Sequence, residues 1–162
     1  MNTRSFVTML LPVLLLSSLS GCKDLLGASD DVQRTELRNA EARWQAAGIQ
    51  SYEFVLLLNC ACGDPDELRN VRVRVENGVP VSRTYESEPF GPAPEAIFGP
   101  YDTAEELFSA VRGAIGREAD LLNVVYHSTY GVPLLLQLDP DVDDPDDHLA
   151  FQVTGFESAT TS

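Results

Sequence analysis

Ser51-Tyr52-Glu53-Phe54-Val55-Leu56-Leu57-Leu58-Asn59-Cys60-Ala61-Cys62 is the stretch on which the fold turns. Side chains alternate across a strand, so Tyr52, Phe54, Leu56 and Leu58 share one face and Val55 and Leu57 share the other. A strand that is apolar on both faces belongs in the middle of a sheet. Its far end is irregular, because Gly63-Asp64-Pro65 follows the second cysteine.

Residues 70–85 come next and read as a hairpin. Val71, Val73 and Val75 alternate with Arg72, Arg74 and Glu76 ahead of Asn77-Gly78. A two-residue turn sets Val75 opposite Pro80 and puts Val79 and Val81 on the arginine face. A three-residue loop, Glu76-Asn77-Gly78, sets Val75 opposite Val79 and Val73 opposite Val81. The second register gathers the valines on one face and is the one expected. Residues 87–100 form a long Pro/Gly connection, expected as a crossover strap pinned by Phe90, Ile97 and Phe98; loops of this length in small domains are often functional. Asp102 or Thr103 then caps a helix with Glu105 and Glu106 in its first turn, burying Leu107, Phe108, Val111 and Ile115 and ending at Gly116. Strands are expected at 121–127, 132–138 and 149–156.

Upstream, Ser29 or Asp30 caps a helix to about Ala47. Its apolar face is Leu37, Ala40, Trp44 and Ala47, and Arg34, Arg38, Glu41 and Arg43 suit its solvated side. Gly48 stands where a left-handed C-terminal cap is wanted, followed by Ile49 to pack back. The order is helix, three strands, helix, three strands. The expected fold is α+β, a tandem αβββ plan with a mostly antiparallel sheet of about six strands and two helices packed on one face. Gly78-Val79-Pro80 and Gly131-Val132-Pro133 echo each other, but they fall between different strands of the two halves, so a simple in-register duplication is not supported.

The first 22 residues have a different character. One positive charge, Arg4, precedes an apolar run of 6–16, and small residues then lead to Cys22. That is the layout of a secretory signal peptide, too short and too interrupted by Pro12 for a spanning helix. Leu19-Ser20-Gly21-Cys22 resembles the lipobox of bacterial lipoproteins. The resemblance implies cleavage before Cys22, a covalent diacylglycerol on its sulfur, and room for an N-acyl chain such as palmitate on the freed amino group. Two or three acyl chains, at about 0.8 kcal/mol per buried methylene, anchor a protein stably. Lys23 follows, where an Asp would favour inner-membrane retention in enteric lipoproteins. The expected location is the outer membrane facing the periplasm, with the inner membrane and the cell surface as alternatives. The expected organisation is a cleaved leader at 1–21, lipidated Cys22 and a short tether at 22–29, one αβ domain at 30–157 and a disordered tail at 158–162.

Acids outnumber bases 25 to 11, for a net charge of −14, and the leader carries Arg4 and no acid. The mature domain would be repelled by nucleic acid and by anionic lipid head groups, so no nucleic-acid partner is expected. With Cys22 assigned to lipid, Cys60 and Cys62 remain as an even pair in an oxidising compartment. Three readings of that pair compete: a disulfide locking the strand end, a reducible redox pair, and a thiolate metal site lacking further ligands. Extended i,i+2 Cα atoms lie about 6.5–7 Å apart, so a disulfide needs a local bend. Residues 139–147 hold six carboxylates. Asp139, Asp141 and Asp143 are the weak metal candidates there, but the run lacks the turn glycine of an EF-hand and Ala150 stands at its Glu position. His127 and His148 are the only histidines. No phosphate-cradling loop, nucleophile elbow or zincin helix occurs, and no catalytic residue is assigned.

Several of these features fall in one order: the lipobox, Arg43-Trp44-Gln45-Ala46-Ala47-Gly48, Tyr52-Glu53-Phe54, Cys60-Ala61-Cys62, the valines around Asn77-Gly78, Thr103-Ala104-Glu105-Glu106-Leu107-Phe108, and Val125-Tyr126 followed by Tyr130-Gly131-Val132-Pro133. Together they resemble a family of small bacterial lipoproteins known only as a domain of unknown function, over roughly residues 39–156. One departure is His127, where the family pattern leads one to expect an acid. The resemblance implies a secreted, anchored αβ domain and supplies no catalytic residues. The functional expectation is a non-catalytic binding module of the cell envelope, held at the membrane by its lipid and meeting an envelope protein or peptide through the 87–100 loop and the acidic turn. The alternatives are a thiol–disulfide protein using Cys60 and Cys62, and a peptide-binding or protease-inhibitor-like domain.

Overall fold

The structure is a computed structural model that describes residues 23–117, 119–144 and 146–159, with side chains from residue 30 onward. Helix α1 is Lys23–Ala47, followed by strands β1 (Tyr52–Cys60), β2 (Val71–Glu76) and β3 (Val79–Tyr85). A short helix α2 (Glu95–Phe98) and a 3-10 turn (Gly99–Tyr101) lead into helix α3 (Ala104–Ala114). Strands β4 (Leu121–Tyr126), β5 (Pro133–Asp139) and β6 (Leu149–Ser158) complete the chain. The six strands make one open antiparallel sheet in the order β3-β2-β1-β6-β5-β4.

β1 is central, as its two apolar faces require, and its partner on the other side is β6. The first three strands step outward from the centre and the last three step back inward. The two αβββ halves are therefore not copies in order. The link from β3 to β4 must cross from one edge of the sheet to the other. The strap and α3 make that crossing over the inner face, where α1 also lies. Tyr52, Phe54, Leu56 and Leu58 point into the core with Val71, Val73, Val75, Phe151 and Val153, and α3 adds Leu107, Phe108 and Val111. The opposite face of the sheet carries no helix among the described residues, and Leu57 there is 38 % exposed.

The helix signals act as physics demands. Thr103 caps α3 by accepting the Glu106 N–H at 3.1 Å, and Gly116 closes the following turn with φ +83°. The α1 helix ends at Gly48, φ +61°, whose N–H donates to the Trp44 carbonyl at 3.3 Å. α1 and α3 run antiparallel: Asp30 and Arg34 lie beside Gly116, Glu41 pairs with Arg112, and the Trp44 indole N–H donates to Glu105 Oε1 at 3.1 Å.

Four expectations need correction. α1 begins at Lys23 rather than at a Ser29 or Asp30 cap, because residues 23–28 hold good helix formers and no breaker beyond Gly27. The stretch expected as a tether is thus the first two turns of the helix. Ala47, at the last position of the helix, is exposed rather than part of the apolar face. The hairpin takes the two-residue turn: Asn77 and Gly78 are both left-handed (φ 51° and 78°), and Val75 faces Pro80. That turn matches strand twist without strain. A bulge after Arg74 then sets Val73 opposite Arg83, leaving Val79 and Val81 in solvent. Finally, β6 runs to Ser158, which pairs with Tyr52, so the expected tail loses its first residue to the sheet.

Candidate functional site

Because all neighbours are antiparallel, three connections leave the same end of the sheet: residues 61–70 after β1, 86–94 after β3 and 140–148 between β5 and β6. The structure thus brings together the cysteine pair, the start of the strap and the acidic turn, which are far apart in sequence. The N-terminal half of α1 lies at this end too, since Asp30 and Arg34 meet Gly116 just ahead of β4. Seven residues of helix separate Lys23 from Asp30, about 10 Å at 1.5 Å per residue. Cys22 and the rest of the lipobox lie outside the described residues.

Cys60 is the last residue of β1 and half-buried; Cys62 is exposed. Their sulfur atoms are in direct contact, and their Cα atoms are 5.2 Å apart. The chain bends at 61–63 to close the gap from the extended spacing. Gly63 fits there because an added Cβ would stand 3.0 Å from the Ile97 Cδ1 of α2, so the bent segment is packed against the strap.

The strap is held from beneath. The Arg69 guanidinium lies 3.8 Å from the Tyr85 ring centroid and donates to the carbonyls of Asp66, Ser87 and Pro89. The Tyr85 hydroxyl donates to the Glu67 carbonyl at 3.1 Å. Main-chain bonds from Tyr85 N–H to Gly91 O and from Ala93 N–H to Arg83 O, both 3.0 Å, tie the strap along β3. Phe98 is fully buried and Ile97 partly so, as expected of pins. Phe90 is not a pin: it stands 66 % exposed at the tip, because Arg69 and the main chain already hold the loop.

In the acidic turn, Asp141 Oδ1 accepts the Asp143 N–H and Asp144 Oδ1 accepts the Asp146 N–H, each at 3.0 Å. These side chains cap local turns. Asp139, Asp141 and Asp143 do not converge, and among the described residues no three His, Cys, Asp or Glu side chains form a metal-holding group. Asp139 Oδ1 and Asp147 Oδ1 are each shielded from solvent with no protein hydrogen bond. Desolvation, and then the charges of Asp144, Asp139 and Asp141, push the Asp147 carboxyl above the ordinary aspartate range.

Each histidine has structural work. His127 Nδ1 accepts the N–H groups of Thr129 and Tyr130, both at 3.2 Å, and its ring stacks on Tyr130 at 4.8 Å. A carboxylate in that place would accept the same two N–H groups, which is why an acid suits the position as well as His. His148 Nε2 lies 3.3 Å from Asn59 Oδ1 across the β1–β6 pair.

The sequence did not reveal the ion pair on the inner side of β3. Arg83 Nε lies 2.7 Å from Asp102 Oδ2, with side chains 17 % and 4 % exposed, and Arg83 also reaches Glu95 at 3.7 Å. Burial pushes the Asp102 carboxyl up, against the pull of Arg83. The only hint was an arginine in a strand otherwise read for its valines. Two open clefts flank this region. One of about 420 Å³ is lined by Ser51, Glu53, Arg74, Asn77 and Glu157. The other, about 780 Å³, lies between the hairpin and the strap and is lined by Pro80, Glu95, Asp102, Thr103 and Glu106. Its Glu95 and Asp102 carboxylates face Arg83.

No curated protein and no solved structure matches the chain. Residues 36–158, from the middle of α1 to the last residue of β6, match a family of unknown function. The match takes in the central β1 strand, the cysteine pair and the Tyr130-Gly131-Val132-Pro133 turn, and by it the chain belongs to the family DUF6174, whose function is unknown.

Proposed function

We propose that this protein is a lipid-anchored binding module of the bacterial cell envelope, held by acyl chains on Cys22 at the periplasmic face of the outer membrane. It acts by surface contact with an envelope protein or peptide rather than by chemistry. The observation that carries this reading is the strap tip. Phe90 is exposed on a loop already fixed by Arg69, Tyr85 and main-chain bonds to β3. An exposed aromatic on a preorganised loop is the kind of feature that anchors a partner at low entropic cost. The lipobox supports the anchor, and α1, continuous from Lys23, would lead from it into the domain as a short stalk.

The test uses the full chain in its own membranes. Cys22→Ser should release the protein on carbonate washing while leaving the fold intact, and retention would refute the anchor. Crosslinking from intact envelopes should capture a reproducible partner that is lost with Phe90→Ala. Capture that Phe90→Ala leaves unchanged would overturn the assignment of the strap tip.

A second reading rests on Cys62, which is exposed beside the half-buried Cys60. A disulfide between them that thiols in solvent can reach would make the pair a thiol–disulfide site. Resistance of that pair to reduction in the folded protein would exclude this reading.

A further inference from the structure

The turn from β4 to β5 is closed by an imidazole. Residues 127–131 reverse the chain at the end of the sheet where Ala40 of α1 meets Gly131. The His127 N–H donates to the Val132 carbonyl and the Gly131 N–H donates to the His127 carbonyl, both at 2.8 Å. Two more main-chain donors lie inside that loop, the N–H groups of Thr129 and Tyr130. Both find their acceptor in His127 Nδ1, at 3.2 Å. A ring nitrogen accepts only through its lone pair, so this geometry puts the proton of the neutral ring on Nε2.

The turn is also a seat for α1. With φ +81°, Gly131 brings the main chain so close to the helix that a Cβ on it would stand 2.1 Å from the Ala40 carbonyl oxygen. The His127 ring stacks on Tyr130 at 4.8 Å. The two rings lie 6.1 Å and 5.9 Å from Phe156, and Phe156 lies 6.1 Å from Trp44 on α1. What holds Tyr130 and Gly131 in place therefore holds the C-terminal half of α1 on the sheet.

We propose that His127 is a proton-sensitive latch: a second proton on its ring opens the 127–131 turn and loosens α1. The added proton goes to Nδ1, the nitrogen with the lone pair, and an imidazolium accepts no hydrogen bond. Two amide donors then lose their acceptor and face an N–H in its place. The surrounding groups do not offset this. Tyr130 and Phe156 are uncharged, and stacking on a partly exposed ring returns less than two hydrogen bonds. On α1, Glu36, Glu41 and Arg43 act on the neighbouring Tyr126; Glu41 is already paired with Arg112, and Glu36 and Arg43 oppose each other. On β6, Glu157 shares the outer face with Glu53, away from the ring. Among the described residues no carboxylate is bonded to the imidazole. The open turn binds the proton better than the closed one. The latch's contribution is therefore complete above the imidazole range and is lost as pH falls through it, at about pH 6–7.

The test is urea unfolding of the full chain in detergent from about pH 8 to about pH 5.5, above the carboxylate range, followed by Trp44 fluorescence. The parent midpoint should fall by about 0.5 M over that interval. His127→Asp offers both amides an acceptor that takes no proton there, so its midpoint should stay level. His148→Gln removes the chain's only other imidazole and should leave the fall intact. Amide exchange of the parent gives a second measurement that needs no variant: protection at Thr129 and Tyr130, corrected for the intrinsic rate, should drop about tenfold across the same interval. A level parent midpoint, an equal fall in the parent and in His127→Asp, a fall abolished by His148→Gln, or unchanged protection at Thr129 and Tyr130 overturns the proposal. None of these readouts involves Phe90 or Cys22, so this inference and the binding-module reading fail separately.

Discussion

Gly131 offers the sharpest test of how the two layers meet. It lies in the turn between β4 and β5 with φ +81°, and a Cβ built on it would stand 2.1 Å from the Ala40 carbonyl oxygen and 2.9 Å from its carbon. The obstacle is helix backbone, which cannot rotate aside. Ala40 is fully buried on α1 between Leu37 and Trp44, so relieving the contact means lifting that helix from the sheet by about 1 Å, given that ordinary C···O contacts are about 3.3 Å. Gly48 is the internal control. Its φ is +61°, equally left-handed, yet nothing lies within 4 Å of its Cβ position. Gly48→Ala should therefore cost only the left-handed penalty, about 1 kcal/mol. Gly131→Ala should cost that plus an overpacking cost of about 1–3 kcal/mol. With a urea slope of about 1–3 kcal/mol per molar, the two variants should differ in midpoint by roughly 1 M. The assay is urea unfolding followed by the fluorescence of Trp44, the single tryptophan, which shares α1 with Ala40 and lies edge-on to Tyr52 of β1 at 5.4 Å. Equal losses for the two alanines, within about 0.3 kcal/mol, would refute the close approach of turn and helix.

Two other predictions follow from the core and the acidic turn. The Ala104 N–H, buried at the start of α3, donates to the Tyr52 hydroxyl at 2.8 Å, so Tyr52→Phe should destabilise the fold by about 1–3 kcal/mol while leaving packing unchanged; a loss below about 0.5 kcal/mol would mean that bond is not made. Asp147 has a folded pKa raised above the ordinary aspartate value of 3.8, so its contribution favours the fold below that value and is lost as pH rises through the folded value. Asp147→Asn should then be more stable than the parent at neutral pH, and the difference should vanish near about pH 4; a parent more stable than the variant at neutral pH would reverse the sign.

Much of this fold was legible because local rules and tertiary demands agree. The two-faced strand at Tyr52 became the central strand, Thr103 became a cap, and Gly48 and Gly116 took left-handed φ values at helix ends. The hairpin failed for an instructive reason. Gathering valines on one face assumes that the inner face of β3 is apolar, but that position belongs to Arg83, whose partner Asp102 is nineteen residues on, just ahead of α3. A buried ion pair reverses the hydrophobic pattern, and nothing local announces its second half. Phe90 failed similarly: an aromatic in a Pro/Gly loop reads as a pin unless one knows that Arg69 already holds the loop.

The candidate site divides along the same line. The bend that Cys60 and Cys62 require could be worked out from strand spacing, and its Gly-Asp-Pro neighbourhood is local. That the cysteines, the strap tip and the acidic turn share one end of the sheet follows only from the antiparallel order β3-β2-β1-β6-β5-β4.

The sequence by itself determined the six strands and, apart from the start of α1, the two long helices, which strand is central, where those helices stop, and the lipobox on which the anchoring proposal rests. These depend on periodicity and backbone preference within a few residues. Tertiary structure alone decided the hairpin register, the Arg83–Asp102 pair and the burial of Gly131 against Ala40. Each of those is a contact between segments distant in the chain, where the energy belongs to the pair and neither partner's local sequence contains it.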